Sequence, residues 1–345
     1  MQDHAHLLTT ARHAVTAASG VCRRVQQRLD DLRAITKDDK SPVTVADFAS
    51  QAVVAKILED TLGPAKLVGE EDADFLRDPA NRAQTDAVVE AVQTYFPELD
   101  EAETLRLIDT GNADTAGDQA GGAFWTLDPI DGTKGFLRGQ QYAVALGYIE
   151  GGTPTVGAMG CPNLPTDHAA PLNTPDAHGC VYLAVKGQGA SQVSLQNPDA
   201  DPAPITRNDL AAGGPINVCA SVEKGHTNVS DEDRILERIV ERTDHAVGTP
   251  VRLDSQCKYA VTARGQADAY LRLPTRPGYV ERIWDHAAGA IIATEAGCTV
   301  TDIFGSSLDF GQGRGLEKNK GIVCAAPRVH ALVIEAIEAL GIKPA

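Results

Sequence analysis

The 345-residue sequence contains no uninterrupted apolar run of about 18 residues, the length that a membrane-spanning helix needs. Its first residues, MQDHAHLLTTARHAV, also lack the basic and then apolar layout of a secretory signal. Both absences favour a cytoplasmic globular protein. A chain of this length can bury one large core or two moderate ones.

Cysteines are few, and their spacing forms no motif. Seven of them are spread between Cys22 and Cys324, an odd number without a CxxC pair. This pattern supports neither a disulfide framework nor a zinc site, so we expect buried free thiols.

Basic residues are outnumbered by acidic ones. Lysine and arginine total 31 against 47 aspartates and glutamates, which gives a formal net charge of −16. This charge argues against nucleic acid or an anionic membrane as the main partner. A small anionic substrate remains possible, because metal ions or a few basic side chains can invert the local field. We expect a monomer with a small-molecule substrate.

Helical and strand-like patterns are mixed along the whole chain. Helices are predicted over residues 7–32 and from Thr44, as N-cap, to Leu62. The glycines at 151 and 152 predict a hairpin, and WDHAAGAIIATEAGC predicts an amphipathic helix that ends at Gly297. The mixture predicts an α/β (α+β) layered sandwich of helices and sheets.

A segment rich in proline, aspartate and asparagine, residues 163–177, is the best candidate for a boundary between two halves. We therefore expect an N-terminal α+β domain over 1–163 and a C-terminal α/β domain over 164–345. The pattern does not reveal the order of the strands.

Two acids three residues apart, Asp128 and Asp131, interrupt an apolar strand in FWTLDPIDGTKGFLRGQ. A tight turn at the end of WTL would aim both carboxylates at one spot, where they repel each other unless a cation lies between them. Mg²⁺ prefers such oxygen ligands together with water and phosphate oxygens. A helix starting at Thr133 would offer free N–H groups to an anion. Asp-Pro and Asp-Gly are also common in turns, but the whole string DPIDGTKGF favours a metal and phosphate site.

Other acids allow two interpretations. Glu70 and Glu71 follow the predicted strand KLVG, although an exposed acidic loop would be the better explanation without the DPIDGTKGF motif. Asp47 is also the third residue of a capping box from Thr44, and Asp285 is also a possible N-cap of the helix to Ala296.

Four segments together resemble the inositol monophosphatase-like superfamily of Mg²⁺-dependent, lithium-sensitive phosphatases. Further segments are similar to its 3′(2′),5′-bisphosphate nucleotidase branch, and the likeness extends from about residue 41 to about residue 326. Cys298 stands where the family often has a second glycine. The resemblance implies the sugar phosphatase fold of that superfamily. The superfamily segments are SPVTVADFASQ, LVGEED, LDPIDGTKGF and WDHAAGAIIATEAG, and those of the branch are KGFLRG, SVEKGH, LDSQCKYA and AYLRLP.

The resemblance also implies a role for each matching residue. Asp47 and Thr133 would activate the attacking water, and Li⁺ would inhibit by occupying one metal position. Two or three Mg²⁺ ions would be held by the carboxylates of Glu70, Asp128, Asp131 and Asp285 and by the backbone carbonyl of Ile130. The substrate would be bound by Gly132, Thr133, His226, Ser255, Lys258, Arg272 and Asp285.

The implied reaction removes the 3′-phosphate of adenosine 3′,5′-bisphosphate and leaves AMP, a step of sulfur metabolism. The sulfated analogue, 3′-phosphoadenylyl sulfate, is a second expected substrate. Lys258 and Arg272 suit a second phosphate, although solvated surface would explain both, and His226 could be an ordinary loop residue. Two rivals remain. One is an inositol polyphosphate 1-phosphatase or inositol monophosphatase of the same fold, and the other is a non-catalytic nucleotide-sensing protein.

Overall fold

The computed structural model describes residues 3–29, 41–113, 115, 122–172, 174–222 and 229–343. Within these ranges no helix is both long and apolar enough to cross a membrane. A short 3₁₀ helix spans Pro79–Asn81. The helices are α1 (His4–Gln27), α2 (Ser41–Leu62), α3 (Asp74–Arg77), α4 (Arg82–Gln93), α5 (Glu101–Asp109), α6 (Thr133–Leu137), α7 (Val229–Arg242), α8 (Cys257–Ala263), α9 (Ala287–Ala296) and α10 (Pro327–Leu340). The strands are β1 (Leu67–Gly69), β2 (Ala123–Asp131), β3 (Ala143–Glu150), β4 (Thr153–Cys161), β5 (Cys180–Val185), β6 (Ala190–Ser194), β7 (Ala203–Ile205), β8 (Pro215–Ile216), β9 (Val218–Ala220), β10 (Ala246–Val247), β11 (Val251–Arg252), β12 (Ala269–Arg272), β13 (Thr299–Thr301) and β14 (Ile322–Ala325).

The larger sheet contains seven strands whose order follows the chain, β1 to β7. β1 is parallel to β2, and every later pair is antiparallel. β3 and β4 are joined through Gly151 and Gly152, whose φ angles are 56° and 76°. Positive φ at both positions is what a two-residue hairpin turn needs, so the predicted hairpin is confirmed.

Both faces of this sheet are covered. Along β3, Val144 and Leu146 belong to the core shared with α1 and α2, whereas Ala143 and Ala145 belong to the core shared with α9. This is the period of two that a strand buried on both sides shows. α9 packs closely because Gly157 lacks a side chain: a Cβ there would lie 2.4 Å from the Cγ2 atom of Ile291.

The second sheet has five strands in the order β11-β9-β12-β14-β13. Its inner face packs on α8 and α9, and its outer face packs on α7 and α10. β8 and β10 form a separate parallel pair. The molecule is therefore layered as helices, sheet, helices, sheet and helices, which confirms the predicted α/β (α+β) sandwich. All seven cysteines are buried free thiols, as predicted.

Three predicted details of the helices are wrong. α1 begins at His4, with Asp3 as N-cap, and ends at Gln27, while residues 30–32 of the predicted helix lie outside the described residues. α2 begins at Ser41, so Thr44 lies inside the helix and is not its N-cap. α9 ends before Gly297 as predicted, but it is buried on nearly all sides because sheets cover it on two sides.

The predicted division at residues 163 and 164 stays a prediction. β4 and β5 pair across it, with Cys161 opposite Cys180. The strands on both sides of that division therefore belong to one sheet.

Candidate active site

The DPID motif lies within β2 and not in a tight turn after it, so that expectation is wrong. Asp128 pairs with Ala145 and Asp131 pairs with Ala143, which leaves one extra residue on β2. Such a bulge bends a strand and redirects its side chains. The Pro129 carbonyl accepts a hydrogen bond of 3.0 Å from the Ser50 hydroxyl, which ties the bulge to α2.

Carboxylates from separate elements meet at this bulge. Burial raises the pKa of Glu70 to about 8, and the charges of Asp285, Glu71 and Asp131 add to the effect. Burial also raises the pKa of Asp128, with Glu70 as the strongest charged neighbour. The structure thus brings together the four acids that the sequence predicts as metal ligands.

The same repulsion reaches the neighbouring acids. Burial and the charge of Asp285 raise the pKa of Asp131 to about 6. Asp47, on the second turn of α2, also has a raised pKa, because it is buried and lies near Glu71 and Glu70. Its alternative role in a capping box fails, since Thr44 does not cap the helix.

The donor set fits a hard divalent cation. All four predicted side-chain ligands present carboxylate oxygens, the donors that Mg²⁺ prefers. Oδ1 of Asp128 is buried and has no hydrogen-bond partner. An unpartnered buried acceptor among repelling acids is costly unless a cation lies against it. The side chain of Ile130 is buried in the core, and the role of its carbonyl stays a prediction.

The backbone next to Asp131 is closely packed. Gly132 has a φ of 89°, and a Cβ there would lie 2.8 Å from the Cβ of Ser255. Ser255 itself has a φ of 68°, which is uncommon for a residue other than glycine. The Asp131 carboxylate accepts a hydrogen bond from the backbone N–H of Gln256. The loop before α8 is therefore held directly against the end of β2.

Thr133 begins α6, so the predicted helix start after the motif is confirmed. Its side chain is exposed, whereas Asp47 is buried in α2, which packs against α6. The pairing of Thr133 with Asp47 stays a prediction.

Two basic side chains, those of Lys258 and Arg272, line a cleft beside the acids. Lys258 is 5% exposed and donates a 2.8 Å hydrogen bond from Nζ to the carbonyl of Ser255. Arg272 pairs through Nε with Glu281 at 2.8 Å. Solvated surface is thus the wrong alternative for both. The cleft has a volume of about 180 Å³ and is lined by Asp131, Gly132, Thr133, Lys134, Asp254, Ser255, Lys258, Tyr270, Arg272 and Asp285.

Asp285 lines the cleft but does not cap α9, because His286 occupies the N-cap position. The alternative structural role for Asp285 is therefore wrong. His226 lies outside the described residues, so its predicted contact with the substrate stays a prediction.

The sequence did not single out two acids beside the cleft. Asp254 forms an ion pair with Arg138, which comes from the segment after α6. Glu281 pairs with Arg272 and His286. The sequence could have pointed to them, because Asp254 lies inside LDSQCKYA and Glu281 lies just before WDH. Their partners Arg138 and Arg272, however, lie on distant segments.

The chain is similar to known proteins over nearly its whole length. The profile of the inositol monophosphatase family matches residues 6–341. The chain is 42% identical over 318 residues to 3′(2′),5′-bisphosphate nucleotidase of Schizosaccharomyces pombe, an alignment that covers 90% of this chain and 87% of that protein. It is 40% identical over 324 residues to the protein of the same name from Emericella nidulans, covering 88% of this chain and 90% of that one.

Among solved structures, Mycobacterium tuberculosis SuhB superimposes with a TM-score of 0.61 at 20% identity, covering 99% of both chains. This likeness concerns the fold alone. The layered fold and the grouped acids agree with the match of 6–341, and the chain belongs to the inositol monophosphatase family.

Proposed function

We propose that this chain is a Mg²⁺-dependent phosphomonoester hydrolase that removes the 3′-phosphate of adenosine 3′,5′-bisphosphate and leaves AMP. The observation that carries the proposal is a group of mutually repelling carboxylates next to Lys258 and Arg272 at one cleft. The acids suit cations, and the two basic residues suit a second phosphate. The relatives named bisphosphate nucleotidases support this choice of substrate.

The carboxylates of Glu70, Asp128, Asp131 and Asp285 and the carbonyl of Ile130 would hold two or three Mg²⁺. When bound, Mg²⁺ would polarise the phosphoryl group, lower the pKa of a coordinated water and neutralise the leaving oxygen. Li⁺ would inhibit by replacing Mg²⁺ at one position.

The remaining residues bind and orient. The Thr133 hydroxyl bonds the attacking water, and Asp47 accepts a hydrogen bond from that hydroxyl, so the water is aligned with the phosphorus. Lys258 and Arg272 bind the 5′-phosphate, and a planar guanidinium can contact two oxygens at once. Positioning of this kind suits phosphoryl transfer, whose loose transition state leaves little covalent chemistry to the protein.

Gly132, Ser255 and His226 complete the substrate pocket. Glycine is required at 132 because Ser255 occupies the space of a side chain. 3′-Phosphoadenylyl sulfate is a second substrate of the same kind, since its 3′-phosphate and 5′-anion have the same arrangement.

A phosphate-release panel tests the proposal. Adenosine 3′,5′-bisphosphate, 3′-phosphoadenylyl sulfate and inositol 1,4-bisphosphate are compared by kcat/KM with Mg²⁺, and with EDTA as control. We expect the first to be hydrolysed best and EDTA to abolish release. A higher kcat/KM for inositol 1,4-bisphosphate would favour the inositol phosphatase, and no release from any of them would favour a non-catalytic binder.

A further inference from the structure

Four polar side chains form a connected chain behind the cleft. The Tyr259 hydroxyl lies 2.9 Å from Nδ1 of His286, and Nε2 of His286 lies 3.2 Å from Oε2 of Glu281. The same carboxylate oxygen pairs with Nε of Arg272 at 2.8 Å. Tyr259 and His286 are fully buried and Glu281 is 5% exposed, so water does not compete for these contacts.

These four hydrogen-bonded side chains connect the two elements that carry the basic residues of the cleft. Tyr259 directly follows Lys258 in α8, and Arg272 is the last residue of β12. The rings of Tyr259 and Tyr270 also meet edge to face at 5.0 Å. The helix with Lys258 and the strand with Arg272 are therefore held together by polar and aromatic contacts.

Three members of this region could by distance alone hold a metal ion. One ligand atom each of Glu281, Asp285 and His286 lies within 4.8 Å of the others. However, the Arg272 guanidinium already pairs with Glu281 and lies 3.5 Å from Asp285 through Nη2. Both ring nitrogens of His286 are also engaged, so the group is an ion-pair network around Arg272.

The geometry points to Glu281 as a positioning residue for substrate binding, an inference that rests on the proposed function. Its carboxylate fixes Nε of Arg272, and the Tyr279 hydroxyl lies 3.2 Å from Nη2. Because a guanidinium is planar, these two contacts fix the direction of the whole group. Glu281 thereby holds Arg272 in the cleft for the non-reacting 5′-phosphate and limits its pairing with the predicted metal ligand Asp285.

Glu281→Gln tests this role, because it removes the charge and keeps the shape. The matched control is Glu232→Gln, a buried glutamate at 6% exposure that lines a different cavity. We expect KM of the Glu281→Gln enzyme for adenosine 3′,5′-bisphosphate to rise about tenfold, the effect of weakening one charge-assisted hydrogen bond. Its kcat and its KM for adenosine 3′-monophosphate stay near the wild-type values, and the control changes neither.

A double variant separates positioning from a general structural effect. In an Arg272→Ala background, Glu281→Gln should cause no further rise in KM, because Glu281 acts through Arg272. If circular dichroism shows Glu281→Gln unfolded, Tyr259→Phe replaces it: loss of the far hydroxyl should raise KM selectively for the bisphosphate.

Two results would overturn the inference alone. One is an equal rise of KM for both nucleotides, and the other is a full additional rise in the Arg272→Ala background. If the wild-type protein hydrolyses neither nucleotide, the proposed function fails and this inference fails with it.

Discussion

At the scale of single residues, the acids of the cleft are the most informative feature. Glu70, Asp128 and Asp131 lie close together, and desolvation together with their mutual repulsion raises the pKa of each. Such a group of like charges lowers the free energy of unfolding unless a cation compensates the charge. Its presence therefore indicates a functional role. In the proposed function, that role would be the binding of cations and a phosphoryl group.

Asp131→Asn should abolish turnover, because it removes one charge from the ligand set. We expect kcat/KM for the bisphosphate to fall more than about a hundredfold at saturating Mg²⁺. Thermal unfolding in EDTA serves as control, and the variant should be at least as stable as the wild type because repulsion is relieved. Near wild-type activity would reject a metal-binding role for Asp131.

Lys258→Ala should weaken the binding of the bisphosphate far more than that of a monophosphate. The ammonium group contributes uniform binding to the spare phosphate, so KM should rise about tenfold while kcat changes little. Steady-state kinetics with adenosine 3′-monophosphate provide the comparison. Similar increases for both substrates would show that Lys258 acts elsewhere.

Glu232 predicts a pH dependence of stability away from the cleft. Burial, with a contribution from Asp233, raises its pKa from 4.5 to about 7. Since the folded pKa lies above the unfolded one, its stabilising contribution is complete below pH 4.5 and is lost as the pH rises through 7. Glu232→Gln should therefore exceed the wild type in unfolding free energy at pH 8, by on the order of 2 kcal/mol.

Urea denaturation of both proteins at pH 4.5 and pH 8 measures this difference. A wild type and a variant that lose the same stability between the two pH values would contradict the role of Glu232.

At the scale of elements, the site depends on α9 lying close to β4. Asp285 immediately precedes the N-cap of α9, so a shift of the helix also moves this predicted ligand. Gly147 faces the same helix: a Cβ there would lie 3.0 Å from the Cβ of Ala287. The two glycines on β3 and β4 thus set the distance between sheet and helix.

Gly157→Ala should destabilise the protein by about 2 kcal/mol, because the added methyl overlaps Ile291 in a full core. Ile291→Ala removes the overlapping group, so the double variant should lose less than the sum of the single losses. Urea unfolding of the three variants measures this coupling. Additive losses would show that the two side chains do not compete for space.

Local sequence patterns predicted most helices and strands. Errors arose where contacts with distant parts of the chain determine the burial or the ends of an element. The Gly151-Gly152 turn was predictable because its conformation depends on the two residues themselves. The burial of α9 was not, since AAGAIIATEAG does not reveal that sheets lie on two sides. Thr44 matches a cap pattern, yet α2 continues past it toward Ser41.

The candidate site shows the same limit. Its acids were found through motifs, whereas the contact between Glu281 and Arg272 depends on how the segment before α9 folds beside β12. No spacing along the chain reports such a contact. The bulge in β2 was also not predictable from the sequence, because Asp-Pro and Asp-Gly pairs occur both in turns and in irregular strands.

At the scale of the whole molecule, the candidate metal ligands come from both parts of the layered structure. Glu70 follows β1, Asp128 and Asp131 lie in the last four residues of β2, and Asp285 stands just before the helix between the sheets. A bound cation would therefore add a link between layers that already meet through apolar contacts and through a few hydrogen bonds, such as those from the Gly187 and Gly189 N–H groups to Glu295 of α9.

Mg²⁺ should accordingly raise the melting temperature relative to EDTA. A ligand at a hundred times its Kd stabilises the folded state by about 2.7 kcal/mol, which is several degrees for a protein of this size. Differential scanning calorimetry measures the shift, and Asp131→Asn is expected to reduce it. Equal melting temperatures of the wild type with Mg²⁺ and with EDTA would contradict a cation bridge.

The order of the strands also bears on biosynthesis. In the larger sheet each strand pairs with the next one in the chain, so this sheet can form progressively as the polypeptide leaves the ribosome. Asp285 and α9 are synthesised only after all seven of these strands. A nascent chain that has completed this sheet thus carries three of the four candidate ligands and lacks the fourth, so the proposed metal site is still incomplete.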